Sequence, residues 1–352
     1  MTSSRFRPTL IALLCLWFGV IAFAAFLMID AEIGRHERDF DDHARHLAAD
    51  IKKKLDMNEA VLDGFASFLQ AVEHNDAVSA TRYAASVATA YPHIYMLEVA
   101  RQIPLAEQAE LEASLRRELV PSFTIKDFPW LTLRKQSAPA RQNHTWPITF
   151  MYPALPEADR IYGVRLETVS HLSHTLAIAH KASRPVASPL FEMYEGGNAY
   201  ILLREVERPP RPERRQGPNI FGSTMIALLL IKAHALIPAI PVEELLPKDI
   251  AYSASLVSAN QAPSTLFQVT MLPTRWLDRI FLPEFSRQIS INNATQPVIM
   301  NFAQQLRWHD VLTVNLVVMW LLLGCLLVTL PTLMIRHVKV LEREEREHER
   351  SA

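Results

Sequence analysis

The sequence predicts an α+β protein in which a long helix and two strand-rich lobes are held between two membrane-spanning helices. Three observations carry that reading. Apolar runs at 10–29 and 311–335 are each long enough to cross a bilayer as one helix. A proline-free stretch from Ala31 to about His74 repeats its apolar residues at helical spacing. Beyond it, short apolar or alternating segments are interleaved with helical ones, the pattern of an α+β domain.

The spans come first. Arg5 and Arg7, in the 1–9 segment, precede the first, and Arg336, Lys339, Arg343 and Arg346 follow the second, so the positive-inside rule puts both termini in the cytoplasm. Residues 30–310 then lie outside, periplasmic or extracellular, on a multi-pass protein of the plasma (inner) membrane. Ala22-Phe23-Ala24 has the small-residue spacing of a signal-peptidase site. The apolar run nevertheless continues through Ile29, longer than a signal-peptide core, which predicts an uncleaved anchor.

Composition excludes several classes. A net charge of -1 without a basic stripe gives no nucleic-acid footprint. The two cysteines, Cys15 and Cys325, both fall inside predicted spans, so no disulfide braces the outer segment and its stability rests on an apolar core. There is no Gly-rich phosphate loop, no HExxH and no Cys-x-x-Cys. The expectation is a non-enzyme without a cofactor. The charged tail 336–352 is too short to hold a kinase or cyclase, so the expectation is either a separate cytoplasmic signalling protein as the output partner or a truncated receptor.

Along the chain, 30–74 reads as a stalk helix. Ile33, Phe40, Ala44, Leu47, Ile51, Leu55, Leu62, Phe65, Leu69 and Val72 form its stripe, and the other faces are densely charged. From Leu62 onward the stripe suits packing on its own domain; nearer the membrane it is narrower and suggests a homodimer seam. A second helix runs from Asp76 to Tyr91, where Pro92 ends it. Strands follow at 93–99, 146–152, 162–166 and 199–206, with helices at 105–119 and 169–182. The Pro/Arg-rich stretch 208–218 reads as a connector between a membrane-distal lobe, 75–207, and a membrane-proximal one, 219–310. In the latter, 221–232, 250–257 and 266–272 read as strands, a helix begins near 241–246, and 297–308 is extended.

Several local patterns carry a resemblance. Ala90-Tyr91-Pro92-His93-Ile94-Tyr95-Met96-Leu97-Glu98-Val99-Ala100-Arg101-Gln102-Ile103 is a helix end followed by a strand closing near a basic residue. Trp146-Pro147-Ile148-Thr149-Phe150-Met151-Tyr152-Pro153 is an aromatic-Pro strand, and Tyr162-Gly163-Val164-Arg165-Leu166 is a glycine turn. A helix with Leu176 and Ala179 then leads to Val186-Ala187-Ser188-Pro189. In this order, 58–206 resembles a CHASE domain, the extracellular sensory module of receptor histidine kinases, cyclic-nucleotide and cyclic-di-GMP enzymes and plant cytokinin receptors.

That resemblance implies two PAS-like lobes on a helical stalk and a small-molecule pocket in the distal one. Trp146, Ile148, Phe150 and Tyr152, with Arg165, Ser188, Tyr200 and Leu202, would line it; each apolar one serves equally well as core. Where the family typically has an aspartate after the glycine turn, this chain has Arg165, or Val164 with a one-residue shift. A guanidinium there favours an anionic ligand over the N–H donor that a carboxylate accepts. Glu167, His171 and His174 follow at i, i+4 and i+7, the spacing of a metal site, a pH-sensitive patch or a plain solvated helix face. The function expected is a membrane-anchored sensor; the alternative is a non-signalling envelope protein that binds a periplasmic partner.

Overall fold

The structure, a computed structural model, describes residues 3–118, 120–128, 143–154, 160–182, 184–193, 196–209, 219–237, 250–257, 263–271, 273–312 and 314–351. The chain divides into two compact units. One comprises Ala44–Met271 and Arg287–Phe302; the other comprises Met1–His43, Leu272–Ser286 and Ala303–Ala352.

Helix α1 (Ser3–Ala71) is continuous, as its unbroken periodicity predicts. Its end is set from outside: the buried guanidinium of Arg208 donates to the carbonyls of Val72 (2.6 Å) and Leu69 (3.4 Å), satisfying acceptors that the helix leaves open. Asp76 then caps α2 (Ala77–Ala90), its Oδ1 accepting from the Ser79 amide at 2.9 Å, and Pro92 follows the last turn. Phe65 of α1 stacks on Tyr83 of α2 at 5.8 Å. The apolar stripe of α1, including Ala44, Leu47, Ile51 and Leu55, is buried within the single chain. The narrow stripe expected to form a dimer seam is therefore already covered by the protomer itself.

The larger unit is organised by a six-stranded sheet. Its strands are β1 (Ile94–Arg101), β4 (Ile148–Tyr152), β5 (Val186–Ala187), β6 (Phe191–Glu192), β7 (Asn198–Glu207) and β8 (Thr224–Lys232). Their order is β4-β1-β8-β7-β5, with β6 on β7, and all these pairs are antiparallel. Two short strands, β2 (Ile103–Pro104) and β3 (His144–Thr145), pair separately. Central strands β1, β7 and β8 are nearly continuous in apolar residues because both faces of the sheet are covered. Helix α2 packs on β1 and β4, and α4 (Ser170–Ala179) packs on β7. A further helix, α3 (Gln108–Glu118), follows a 3-10 turn at Leu105–Glu107.

Two expectations change here. Strand β8, expected in the membrane-proximal lobe, lies at the centre of this sheet and pairs with β7 from Ala199↔Lys232 to Glu207↔Thr224. The Pro/Arg-rich stretch thus joins two adjacent antiparallel strands; its residues 210–218 lie outside the described residues, as does the helix expected near 241–246. The strand expected at 162–166 is a turn carrying two isolated bridges, Lys126↔Val164 and Pro147↔Arg165. Gly163 makes the turn at φ +78°, and a Cβ there would meet the Thr124 carbonyl oxygen at 2.1 Å.

A second sheet contains β9 (Ile250–Leu256), β10 (Ser264–Val269), β11 (Glu284–Ile291) and β12 (Val298–Gln305), in the order β10-β9-β12-β11. Strand β9 alternates buried Ile250, Tyr252, Ala254 and Leu256 with half-buried residues, a one-sided core strand.

In the smaller unit, the first part of α1 is joined by α5 (Trp276–Phe281), α6 (Trp308–Val311) and α7 (Val314–Ser351). Phe40 packs on Phe285 at 5.9 Å, and His36 Nε2 lies 3.1 Å from the Asp310 carbonyl. Among the described residues two helices are long and apolar enough to cross a membrane, the part of α1 beginning at Cys15 and the segment Trp320–His337 of α7.

Candidate functional site

The two faces of the six-stranded sheet bury different things. On one, Met96 and Ala100 of β1, Ile148 and Met151 of β4, Ala199, Ile201 and Leu203 of β7, and Ile226, Leu228 and Leu230 of β8 form a single apolar cluster. The glycine turn closes over it with Val164 and Leu166, α4 adds Leu172, Leu176 and Ala179, and Trp146 completes the wall. Apart from the residues of β8, this cluster belongs to the lobe that the sequence expectation called membrane-distal, and it is called the distal cluster below. The opposite face meets α1, as contacts from β7 demonstrate: Tyr200 hydrogen-bonds near Asn58, and Arg204 pairs with Asp63.

Into the distal cluster the sequence inserts one acid. Glu98 lies between Met96 and Ala100 on β1 and pairs in register with Met151 on one side and Leu228 on the other, all members of the cluster. Strand alternation therefore directs its carboxyl into the same apolar face. It is 4% exposed, and among the described residues nothing donates a hydrogen bond to it and no cation faces it. Burial alone pushes its ionisation up to about 7. A carboxyl without a partner in an apolar setting is costly, and such groups concentrate where a ligand supplies what the protein does not.

The eight residues expected to line a pocket are divided by this geometry. Trp146 and Ile148 face the distal cluster. Phe150 pairs with Val99, packs its ring on Phe221 at 5.8 Å and belongs to the other face, and Tyr152 is registered beside Leu97. The cause is the register shift between Val99 and Ala100, a bulge that breaks the simple alternation assumed for 146–152. Tyr200 and Leu202 also face α1. Ser188 is buried, and its hydroxyl is occupied at the sheet edge, accepting from the Ile201 amide (2.9 Å) and donating to the Pro189 carbonyl (2.9 Å). Arg165 has its counter-ion within the chain: its Nε donates to Asp127 Oδ1 at 2.7 Å, and that ion pair is partly exposed.

Glu167, His171 and His174 do not share one helix. Glu167 sits in a 3-10 turn (Leu166–Thr168), Val169 is extended, and only the histidines enter α4. The Glu167 carboxylate accepts from Thr145 Oγ1 (2.5 Å) and the Trp146 amide (3.0 Å), fixing the tryptophan that walls the cluster. His171 stacks on Phe191 at 4.2 Å, and burial lowers its pKa to about 4. No group of three metal-ligating side chains occurs among the described residues.

The α1 face holds a buried polar junction that periodicity gave no reason to expect. His93 Nε2 donates to Asn58 Oδ1 at 2.8 Å; Asn58 Nδ2 donates to Gln296 Oε1 (3.2 Å) and reaches the Tyr200 hydroxyl (3.4 Å); and Tyr200 donates to Gln296 Oε1 at 2.7 Å. Gln296 Nε2 returns to the Leu55 carbonyl on α1 (3.1 Å). One turn earlier, Lys54 Nζ donates to the carbonyls of Ala235, Leu236 and Ile237 at 2.9–3.1 Å, closing the end of a 3-10 turn with a positive charge. The stalk helix, the six-stranded sheet and the β11–β12 connection thus meet at Asn58. The only available cue in sequence is polar Asn58 and Lys54 flanking an otherwise apolar stripe.

Residues 77–264, more than half of the chain, match the CHASE domain family. No curated protein matches the chain in sequence. Among solved structures, an extracellular ligand-binding receptor from Desulfohalobium retbaense aligns over 76% of this chain with 10% identity and a TM-score of 0.44; this chain spans 40% of that receptor's length. The extracellular domain of a histidine kinase aligns over 80% of this chain and 96% of its own, with 12% identity and a TM-score of 0.37. That match runs from α2 through the six-stranded sheet and β9 and covers more than half of the chain, so this chain belongs to the CHASE-domain family.

Proposed function

We propose that this chain is a membrane-anchored extracytoplasmic sensor whose distal sheet face receives a small, largely apolar molecule bearing a protonated amine or other N–H donor. The single observation that carries the proposal is Glu98, a carboxyl with no partner among the described residues, set in the apolar face that the glycine turn and α4 cover. A cationic donor would supply the missing charge and hydrogen bond and hold the carboxylate ionised at neutral pH. The anion expected from Arg165 is not carried forward, because Asp127 already balances that guanidinium.

In this reading residues 30–310 lie outside the plasma (inner) membrane and both termini inside, with the CHASE module as the extracellular part. Occupancy alters the sheet, Tyr200 and His93 carry the change to Asn58, and α1 and the second span relay it to a separate cytoplasmic signalling protein. The ligand must bind one arrangement of that junction better than the other, since equal affinity for both shifts nothing. The homodimer uses the outer, charged face of α1, because its apolar stripe is buried. The strand order of the distal sheet, with the first and last long strands side by side at its centre, supports a PAS-like lobe.

The test is thermal unfolding of the full chain in lipid nanodiscs against aromatic and alkyl amines, with carboxylates and alcohols of the same carbon skeletons. At a hundredfold excess over Kd, a ligand bound only by the folded state adds about 2.7 kcal/mol. For domains of this size that is a rise of several degrees, at about 2–4 °C per kcal/mol. The rise is expected with amines and is lost in Glu98→Gln. A rise with carboxylates alone would contradict the proposal.

A further inference from the structure

Helix α5 is amphipathic in the inverted sense. Trp276, Ile280 and Phe281 are 65–68% exposed and Leu277 40%, while Asp278 is buried at 5%. Large apolar side chains are common singly on a protein surface, but four in six residues form a patch that calls for a cover. The orientation is held firmly. Asp278 Oδ1 accepts from the Trp308 amide (3.4 Å), and Gln305 Nε2 donates to the carbonyls of Asp278 (3.2 Å) and Leu282 (3.1 Å), so the acid and both carbonyls point inward. Leu282, which follows the helix, is buried.

The same unit carries both candidate spans, and its internal contacts set the height of α5. His36 Nε2 touches the Asp310 carbonyl, so residue 310 is level with the turn of α1 at 36. From Ile29, the last residue of the first apolar run, to His36 is seven residues, a rise of about 10 Å in an α-helix. Headgroup layers add about 5–8 Å on each side of the hydrocarbon core. Helix α5, hydrogen-bonded to Trp308, therefore lies at about headgroup height, where tryptophan and phenylalanine side chains settle. Arg275 and Arg279, both exposed, flank the patch and add attraction for anionic lipid.

We propose that α5 is a membrane-surface contact: Trp276, Leu277, Ile280 and Phe281 insert into the outer interface of a bilayer containing anionic lipid, beside the second span. This rests on the two apolar helices being spans. The test labels Ile280→Cys with a nitroxide in the full chain carrying Cys15→Ser and Cys325→Ser, in nanodiscs of phosphatidylcholine and phosphatidylglycerol. The readout is the ratio of collision rates with oxygen and with a water-soluble nickel complex. Leu322→Cys in the second span and Val78→Cys on exposed α2 serve as the lipid and water references. The ratio at 280 is expected to shift from the value at 78 toward that at 322. A ratio equal to that at 78, or low access to both reagents as under a protein partner, overturns the proposal. Failure of the label at 322 to report lipid would instead overturn the span assignment.

Discussion

His93 Nε2 lies 2.8 Å from Asn58 Oδ1, with both side chains buried where the stalk helix meets the six-stranded sheet. An amide oxygen only accepts, so the ring must carry its proton on Nε2. Burial, reinforced by the charge of Lys54, lowers the His93 pKa to about 4, against 6.5 when exposed. Between those values the unfolded chain binds the extra proton and the folded one does not, so stability falls as pH drops from about 6.5 to about 4. Denaturation of the full chain in nanodiscs at a series of pH values should reveal this loss, up to roughly 3 kcal/mol. His93→Gln, which retains an N–H donor for Asn58, should flatten that limb; an unchanged limb would assign it to other groups.

Glu98 has the opposite sign. Its folded pKa of about 7 lies above the unfolded 4.5, so its contribution is fully present below about 4.5 and is lost as pH rises through 7. Glu98→Gln should therefore be nearly neutral at pH 4.5 and stabilising by roughly 3 kcal/mol at pH 8.5. Equal midpoints of mutant and parent at pH 8.5 would show the carboxyl to be solvated or paired.

The glycine turn gives a steric prediction. Gly163→Ala places a Cβ 2.1 Å from the Thr124 carbonyl oxygen at a positive φ, whereas Gly196→Ala, also at positive φ, meets nothing within 4 Å. The second substitution should cost about 1–2 kcal/mol, the ordinary penalty of a left-handed residue. The first adds a backbone displacement and should cost at least about 3 kcal/mol. Equal unfolding midpoints for the two variants would mean that the turn is not formed.

Arg165→Ala tests what the glycine turn's cation does. Its partner Asp127 is more than half exposed, so removal of the pair should change stability by less than about 1 kcal/mol. The midpoint rise with amines should persist in this variant. Its disappearance would restore Arg165 as a ligand contact.

The helices and most strands were legible in sequence because their cues are local. Asp76, Pro92 and the apolar periods of α1 and β7 each act within a few residues of where they stand. Allocation of strands to sheets was not local. β8 belongs beside β1 and β7, but the Pro/Arg stretch before it looks the same whether it joins two lobes or two neighbouring strands. The bulge between Val99 and Ala100, which sends Ile148 and Phe150 to opposite faces, has no local cue in the sequence. Glu98 stood in plain view inside an apolar strand; its meaning depended on both flanking strands being equally apolar, which only the pairing reveals. Strand β11, with mostly polar and exposed residues, offered little apolar alternation to read.

The relay from distal face to second span is tested most directly with the native cysteines, Cys15 in α1 and Cys325 in α7, both exposed. Spin labels on them in nanodiscs give a distance distribution by double electron–electron resonance, recorded with and without an amine that raises the unfolding midpoint. The distribution should shift with the amine, and in Asn58→Leu the midpoint rise should remain while the shift is lost. A midpoint rise in the parent chain with an unchanged distribution would contradict signalling through the span and leave a binding protein that is merely anchored.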